Sequence, residues 1–277
     1  VLDPLKLLRQ EERGACETYF ESRARAVYQG NDRLLCRVLG SYPIVADARD
    51  NAVTPHLALD GYWEIWCSIA VARYVKAGMR VVDVGAAAGY YTVLLGHLVG
   101  EGGRVQSWEP EYFTVDCLRR SVELNGLDRR TDIIAAAASS EDVPHGGARL
   151  VVDSTTNMGS AEVVIGGTLH GQPIGCSRLD DRGGAPPDFI KIDAEGHEER
   201  VWDGAQKCLG APGARAVLLE FTPRKHKAPG EFLQRITSIG YSLGTVTADG
   251  SIKPTTAAEL EKLSPSANEM LWCQKRG

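Results

Sequence analysis

At 277 residues, 43% hydrophobic and 24% charged, the chain has ordinary globular composition and length enough for a substantial buried core. A formal net charge of -5 excludes the broad basic surface that binds nucleic acid or an anionic membrane, so a small-molecule partner is expected. No apolar stretch approaches the roughly 20 residues of a membrane span, and the opening residues lack a signal-peptide pattern, so a cytoplasmic protein is expected.

The seven cysteines include no C-x-x-C pair and are expected to be reduced thiols packed as small hydrophobes, not a zinc site or disulfide framework. In the first forty residues, Leu5, Leu8, Tyr19, Ala26, Leu34, Leu35 and Val38 are interspersed with charges, a spacing that predicts amphipathic helices. Residues 1–40 are therefore expected to form a helical N-terminal extension, serving as a lid, a homodimer contact or a packing appendage, ahead of a main domain over 41–277. Ser41–Glu64 mixes short apolar runs with turn formers and predicts a small hairpin, followed by a helix from Ile65 to Lys76.

From Met79 the text alternates. MRVVDV reads as a buried strand, Gly89–Leu98 as a helix, RVQSWE as a second strand and Tyr112–Asn125 as a helix. DIIAAAA is a third strand, ARLVVD and AEVVIG a hairpin excursion, and DFIKID a fourth strand, with a helix over Glu198–Leu209. ARAVLLEF, a helix over Gly230–Ser238, YSLGTVT and NEMLWCQK complete the chain. This order predicts an α/β fold with a doubly wound, mostly parallel seven-stranded sheet and an antiparallel C-terminal edge.

In DVGAAAGYYT the strand ends in Asp83, and Gly85 and Gly89 bracket three alanines, so that backbone can approach a ligand closely. Open α/β sheets bind ligands at such a turn. Ala87 stands where the G-x-G-x-x-G dinucleotide fingerprint has its second glycine, which disfavours a pyrophosphate and suits a methionine moiety. Glu109, at the end of the second strand, is placed to accept both ribose hydroxyls, and Pro110 stiffens the chain where an adenine would lie. Asp83, Gly85, Ala86, Gly89, Tyr90, Tyr91, Thr92, Glu109 and Pro110 are thus the candidate cofactor contacts. A nicotinamide-dependent oxidoreductase, the rival reading, should carry the tighter glycine fingerprint; a non-catalytic cofactor-binding module is a second alternative.

DVGAAAGYYT, WEP at Trp108–Pro110 and DFIKIDAEGHEERVWDGA from Asp188 to Ala205 resemble the FkbM family of methyltransferases. So do YWE at Tyr62–Glu64, SVELNGL, and VLLEFTP at Val217–Pro223, in order from about Ser41 to the end of the chain. The resemblance implies a Rossmann-like class I methyltransferase that uses S-adenosylmethionine, releases S-adenosylhomocysteine and methylates the hydroxyl of a small molecule, as in natural-product tailoring or glycan decoration. Ala87 and Ala88 depart from the family's usual Asn-Ile, and Trp63 separates Tyr62 from Glu64 where Tyr-Glu is usual.

Methyl transfer to oxygen needs the hydroxyl held behind the sulfonium methyl and a base for its proton. Asp193, Glu195 and His197 alternate at period two and share a face if extended backbone continues past Ile192. His197 is then the leading base, oriented by Asp193 or Glu195, with capping of the next helix as its alternative role. Asp193 also suits the cofactor's ammonium. A divalent metal on this trio is the lesser reading, and none is expected. Glu64, with Tyr62 and Trp63, is expected to wall the methionine end; Tyr62 and Asn157 are candidate substrate contacts. Glu220 and Lys191 are expected to be structural, Lys191 paired with a nearby acid.

Overall fold

The computed structural model describes residues 2–152, 161–166, 170–210 and 214–275. Two short helices open it, α1 (Pro4–Gln10) and α2 (Arg13–Arg23). Asp3 caps α1 by accepting from Leu5 N, and Leu7, Leu8, Cys16 and Phe20 are buried.

Helix then gives way to an antiparallel three-stranded sheet, β1 (Arg25–Gly30), β2 (Arg33–Val38) and β3 (Tyr42–Asp47). The expected helical extension is therefore helical only as far as Arg23. Asn31 and Asp32 form a two-residue turn with φ of 51° and 57°, a hairpin geometry that no right-handed helix can cross. The turn residues carried that signal; the interspersed charges obscured it.

After α3 (Thr54–Leu59) and α4 (Ile65–Tyr74) comes the main alternation: β4 (Arg80–Val84), α5 (Tyr90–Val99), β5 (Arg104–Trp108), α6 (Tyr112–Leu124) and β6 (Thr131–Ile134). An excursion follows, in which β7 (Ala137–Ala138), β8 (Val143–Val152), β9 (Ala161–Ile165) and β10 (Gln172–Ser177) build a second sheet in the order β7-β10-β8-β9. The chain returns through β11 (Phe189–Ile192), α7 (Glu198–Asp203), α8 (Gln206–Gly210), β12 (Ala216–Phe221), α9 (Pro229–Ser238), β13 (Tyr241–Val246), β14 (Ile252–Thr255), α10 (Ala257–Leu260) and β15 (Glu269–Lys275).

The main sheet has the order β14-β13-β15-β12-β11-β4-β5-β6. The five strands from β12 to β6 are parallel, and β15, β13 and β14 add the antiparallel edge. This is the doubly wound, mostly parallel Rossmann-like architecture with an antiparallel edge, with eight strands among the described residues where seven were expected. The additional strand, β14, contains Pro254 and is largely exposed, as suits an edge that needs only one partner.

The helix expected over Glu198–Leu209 is broken at Gly204, where a Cβ would collide with the Ser139 carbonyl. Close backbone packing there outweighs helical continuity. One apolar core fills the sheet face under α4 and α5, a second fills the face under α7 and α9, and a small third lies within the excursion sheet. All seven cysteines are free and six are buried. No helix among the described residues is long and apolar enough to cross a membrane.

Candidate functional site

From β4 the chain winds outward through β5 and β6, then returns to the other side of β4 with β11. The connections leaving β4 and β11 therefore diverge, and a crevice opens at their carboxyl ends. A cavity of about 250 Å³ lies there. Its walls include the Gly85–Ala88 turn, Tyr90, Tyr91, Glu109, Pro110, Trp63, Glu64, Asp193, Glu195, His197 and Glu220.

The turn after β4 is shaped by backbone contact. A Cβ on Gly85, whose φ is 73°, would collide with the Asp193 carbonyl, so the turns after β4 and β11 pack main chain to main chain. Ala87 adopts a φ of 47° and donates its N–H to Glu109 Oε2 at 3.0 Å. The other Glu109 oxygen accepts from Glu111 N at 2.9 Å. Burial pushes the Glu109 carboxyl up to about 7.

Asp83, Gly89 and Thr92, expected at the cofactor, do not line the cavity. Successive strand residues face opposite ways, and it is Val84 that lines the cavity; Asp83 lies fully buried beneath the turn. It accepts from Thr92 Oγ1 at 2.7 Å, and Thr92 in turn bonds Ser107 at 2.8 Å. Gly89 closes against Leu118. The three brace the turn from below.

Lys191, 2% exposed on β11, pairs with Asp193 at 3.0 Å and stands 4.0 Å from Asp83. Burial works against its charge, but Asp193 and Asp83 more than offset this and raise its pKa. Its ammonium also lies 4.8 Å from the Tyr91 ring centroid.

Glu64 takes a left-handed φ of 41° immediately before α4. Its Oε2 and the nearby Tyr91 hydroxyl are buried, and neither makes a well-formed hydrogen bond. Burial, reinforced by Asp193, lifts the Glu64 carboxyl to about 7. Tyr62, expected beside it at the substrate, does not line the cavity and donates to Glu21 Oε1 of α2 at 3.0 Å. Asn157, the other candidate substrate contact, lies outside the described residues.

The shared face expected of Asp193, Glu195 and His197 does not form, because extended backbone ends at β11. Glu195 has φ 52° and Gly196 φ 96°, and the Glu198 carboxylate ties this turn by accepting from Ala194 N and Gly196 N, each at 3.0 Å. All three side chains still reach the cavity wall, yet each has a different partner. Asp193 meets Lys191, Glu195 meets Lys225 at 2.7 Å, and His197 Nε2 bonds Ser139 Oγ at 3.1 Å. Neither acid orients His197. Burial, with help from Arg200, holds the imidazole down at about 4. His197 occupies the N-cap position of α7 without capping it by a side-chain bond.

Lining residues that the sequence did not single out include Asn268 just before β15, Met270 near its start, and Leu150, Ala161 and Val163 from the excursion sheet. They come from segments distant in sequence and carry no local motif. Lys225, which pairs with Glu195, was equally silent within a run of ordinary polar residues.

The sequence model of the methyltransferase FkbM domain matches residues 83–243, more than half of the chain. No curated protein matches. Among solved structures, a methyltransferase FkbM from Methylobacillus flagellatus KT is 20% identical, with 70% of this chain and 43% of that chain covered and a TM-score of 0.45. A putative rRNA methylase from Clostridium thermocellum is 13% identical over 76% of this chain and 93% of that one, TM-score 0.49. An O-methyltransferase from Thermotoga maritima, described as SAM-dependent, is 15% identical over 78% and 66%, TM-score 0.43. The chain thus spans less than half the length of the Methylobacillus protein.

Proposed function

The chain belongs to the FkbM methyltransferase family, and on that premise we propose that its cavity takes S-adenosylmethionine and that the methyl group passes to a hydroxyl of a small molecule. One observation carries this reading: Glu64 Oε2 is buried at the cavity with only the Tyr91 hydroxyl near it and no well-formed hydrogen bond. An unsatisfied buried carboxylate is costly, and the ammonium and sulfonium of the cofactor are the kind of charge that relieves it. A nicotinamide dinucleotide would bring a pyrophosphate to the same acidic surroundings.

When bound, S-adenosylmethionine supplies a methyl group activated on sulfonium. Glu109 would receive the ribose hydroxyls on lone pairs left over after Ala87 N and Glu111 N are bound. Gly85, Ala86, Tyr90 and Tyr91 would hold the methionine moiety, Pro110 would border the adenine, and Glu64 and Asp193 would meet its positive charges, all being residues that line the cavity. Glu195, lifted to about 7 by burial and Glu220, is closer to working pH than His197 and is assigned the acceptor proton. His197 is assigned to the cavity wall, bonded to Ser139.

Calorimetric titration of the chain with S-adenosylmethionine, S-adenosylhomocysteine and NAD tests the reading. Binding of the first two without NAD is expected; binding of NAD alone would overturn it. Binding without transfer to any hydroxyl acceptor would mark a silent module.

A further inference from the structure

The acidic end of the cavity contains its own cations. Asp193, Glu195 and Glu220 each bring a carboxylate oxygen within 4.8 Å of the others, a donor set that suits a hard divalent ion. Two lysines already serve it. Lys191 holds Asp193 at 3.0 Å, while Lys225 Nζ sits 2.7 Å from Glu195 and 3.3 Å from Glu220.

Lys225 is held in this place. It ends a short 3-10 turn, Pro223–Lys225, that directly follows β12; Lys225 N donates to Thr222 O and Arg224 N to Pro265 O. Its stem lies against Gly196, where a Cβ would come 3.5 Å from Lys225 Cβ. Asn268 Nδ2, just before β15, donates to Glu220 Oε1 at 2.9 Å and secures the second carboxylate. The left-handed backbone at Glu195, φ 52°, completes the arrangement from the opposite side.

We propose that Lys225 is a positioning residue of the acceptor site, standing where a divalent cation would otherwise bind and holding Glu195 to take the acceptor proton without metal. This rests on the methyl-transfer reading above. As the acceptor oxygen bonds to the methyl carbon, the carbon–sulfur bond breaks and its electron pair stays on sulfur. The hydroxyl proton passes to Glu195 Oε1, because Oε2 is engaged by Lys225. A divalent ion entering the trio would have to displace an ammonium held by two carboxylates.

The test is manganese binding to the full chain, read by electron paramagnetic resonance of the free ion. Wild type is expected to bind no manganese at this trio. Lys225→Met keeps the stem and removes the charge, and should gain a site at least about tenfold tighter than any in wild type, since the carboxylates no longer have an ammonium competing with the ion for them. Adding Glu195→Gln should abolish that site, and Lys225→Arg should exclude manganese as wild type does. Lys225→Gln replaces Lys225→Met if melting curves show the latter unfolded. Manganese binding by wild type that Glu195→Gln removes, or a folded uncharged variant that gains no site, would overturn the proposal. Calorimetry with S-adenosylhomocysteine on the same samples reports separately on the cofactor reading, so either idea can fail alone.

Discussion

Glu109 is a buttress of the turn after β4 and, on the proposed function, a ligand contact as well. Its two oxygens accept Ala87 N and Glu111 N, which fixes the carboxylate plane against the turn after β4 and leaves lone pairs toward the cavity. We expect Glu109→Ala to weaken S-adenosylhomocysteine binding by about 1.5 to 3 kcal/mol, the range for hydrogen bonds to a charged group. Calorimetry decides this, and unchanged affinity would remove Glu109 from the cofactor. The residue was legible in the sequence, as an acid closing the second strand. Glu64 was legible as an acid beside two aromatics ahead of the first core strand and through family resemblance, whereas the burial of its Oε2 was not.

At the scale of elements, the β4–β11 pair holds the site together. Lys191 pairs in register with Asp83 across the two strands, and its ammonium neutralises Asp193 at the strand end. Lys191→Met would leave Asp83, whose Oδ1 already has no hydrogen bond, deprived of its nearest cation. Breaking such a buried arrangement from one side costs about 3 to 5 kcal/mol, so denaturant unfolding should show a loss in that range. A loss below about 1 kcal/mol would mean that Asp83 is carried by Thr92 alone. The sequence marked Lys191 as an unusual charge in an apolar strand and predicted an acidic partner; which acid depended on strand order.

Over the whole molecule, buried titratable groups make stability depend on pH in opposing directions. Glu64, Glu109 and Glu195 have folded pKa values raised from 4.5 to about 7, each chiefly by burial. Their contribution is fully present below 4.5 and is lost as pH rises through about 7, because the folded chain binds the extra protons. His197 is lowered from 6.5 to about 4, so its contribution is present above 6.5 and is lost as pH falls toward 4. Melting curves should therefore show Glu64→Gln losing less stability than wild type between about pH 5 and pH 8. By the same linkage, binding of the cationic cofactor should release protons near neutral pH, measurable by titration in buffers of different ionisation enthalpy. Absence of release would mean that Glu64 does not meet the cofactor's charge.

The sequence by itself determined the alternation of strands and helices, the glycine turn after the first core strand, the strand-end Glu109 and the family. These are local properties: apolar period, turn chemistry and short spacings survive in one dimension. Only the tertiary structure decided that Asp83 lies under the turn, that Asp193, Glu195 and His197 part company, and that Lys225 joins the acidic end. Each of these depends on partners brought from other strands and on left-handed backbone at Glu195 and Gly196, which the Glu198 carboxylate ties by accepting from Ala194 N and Gly196 N.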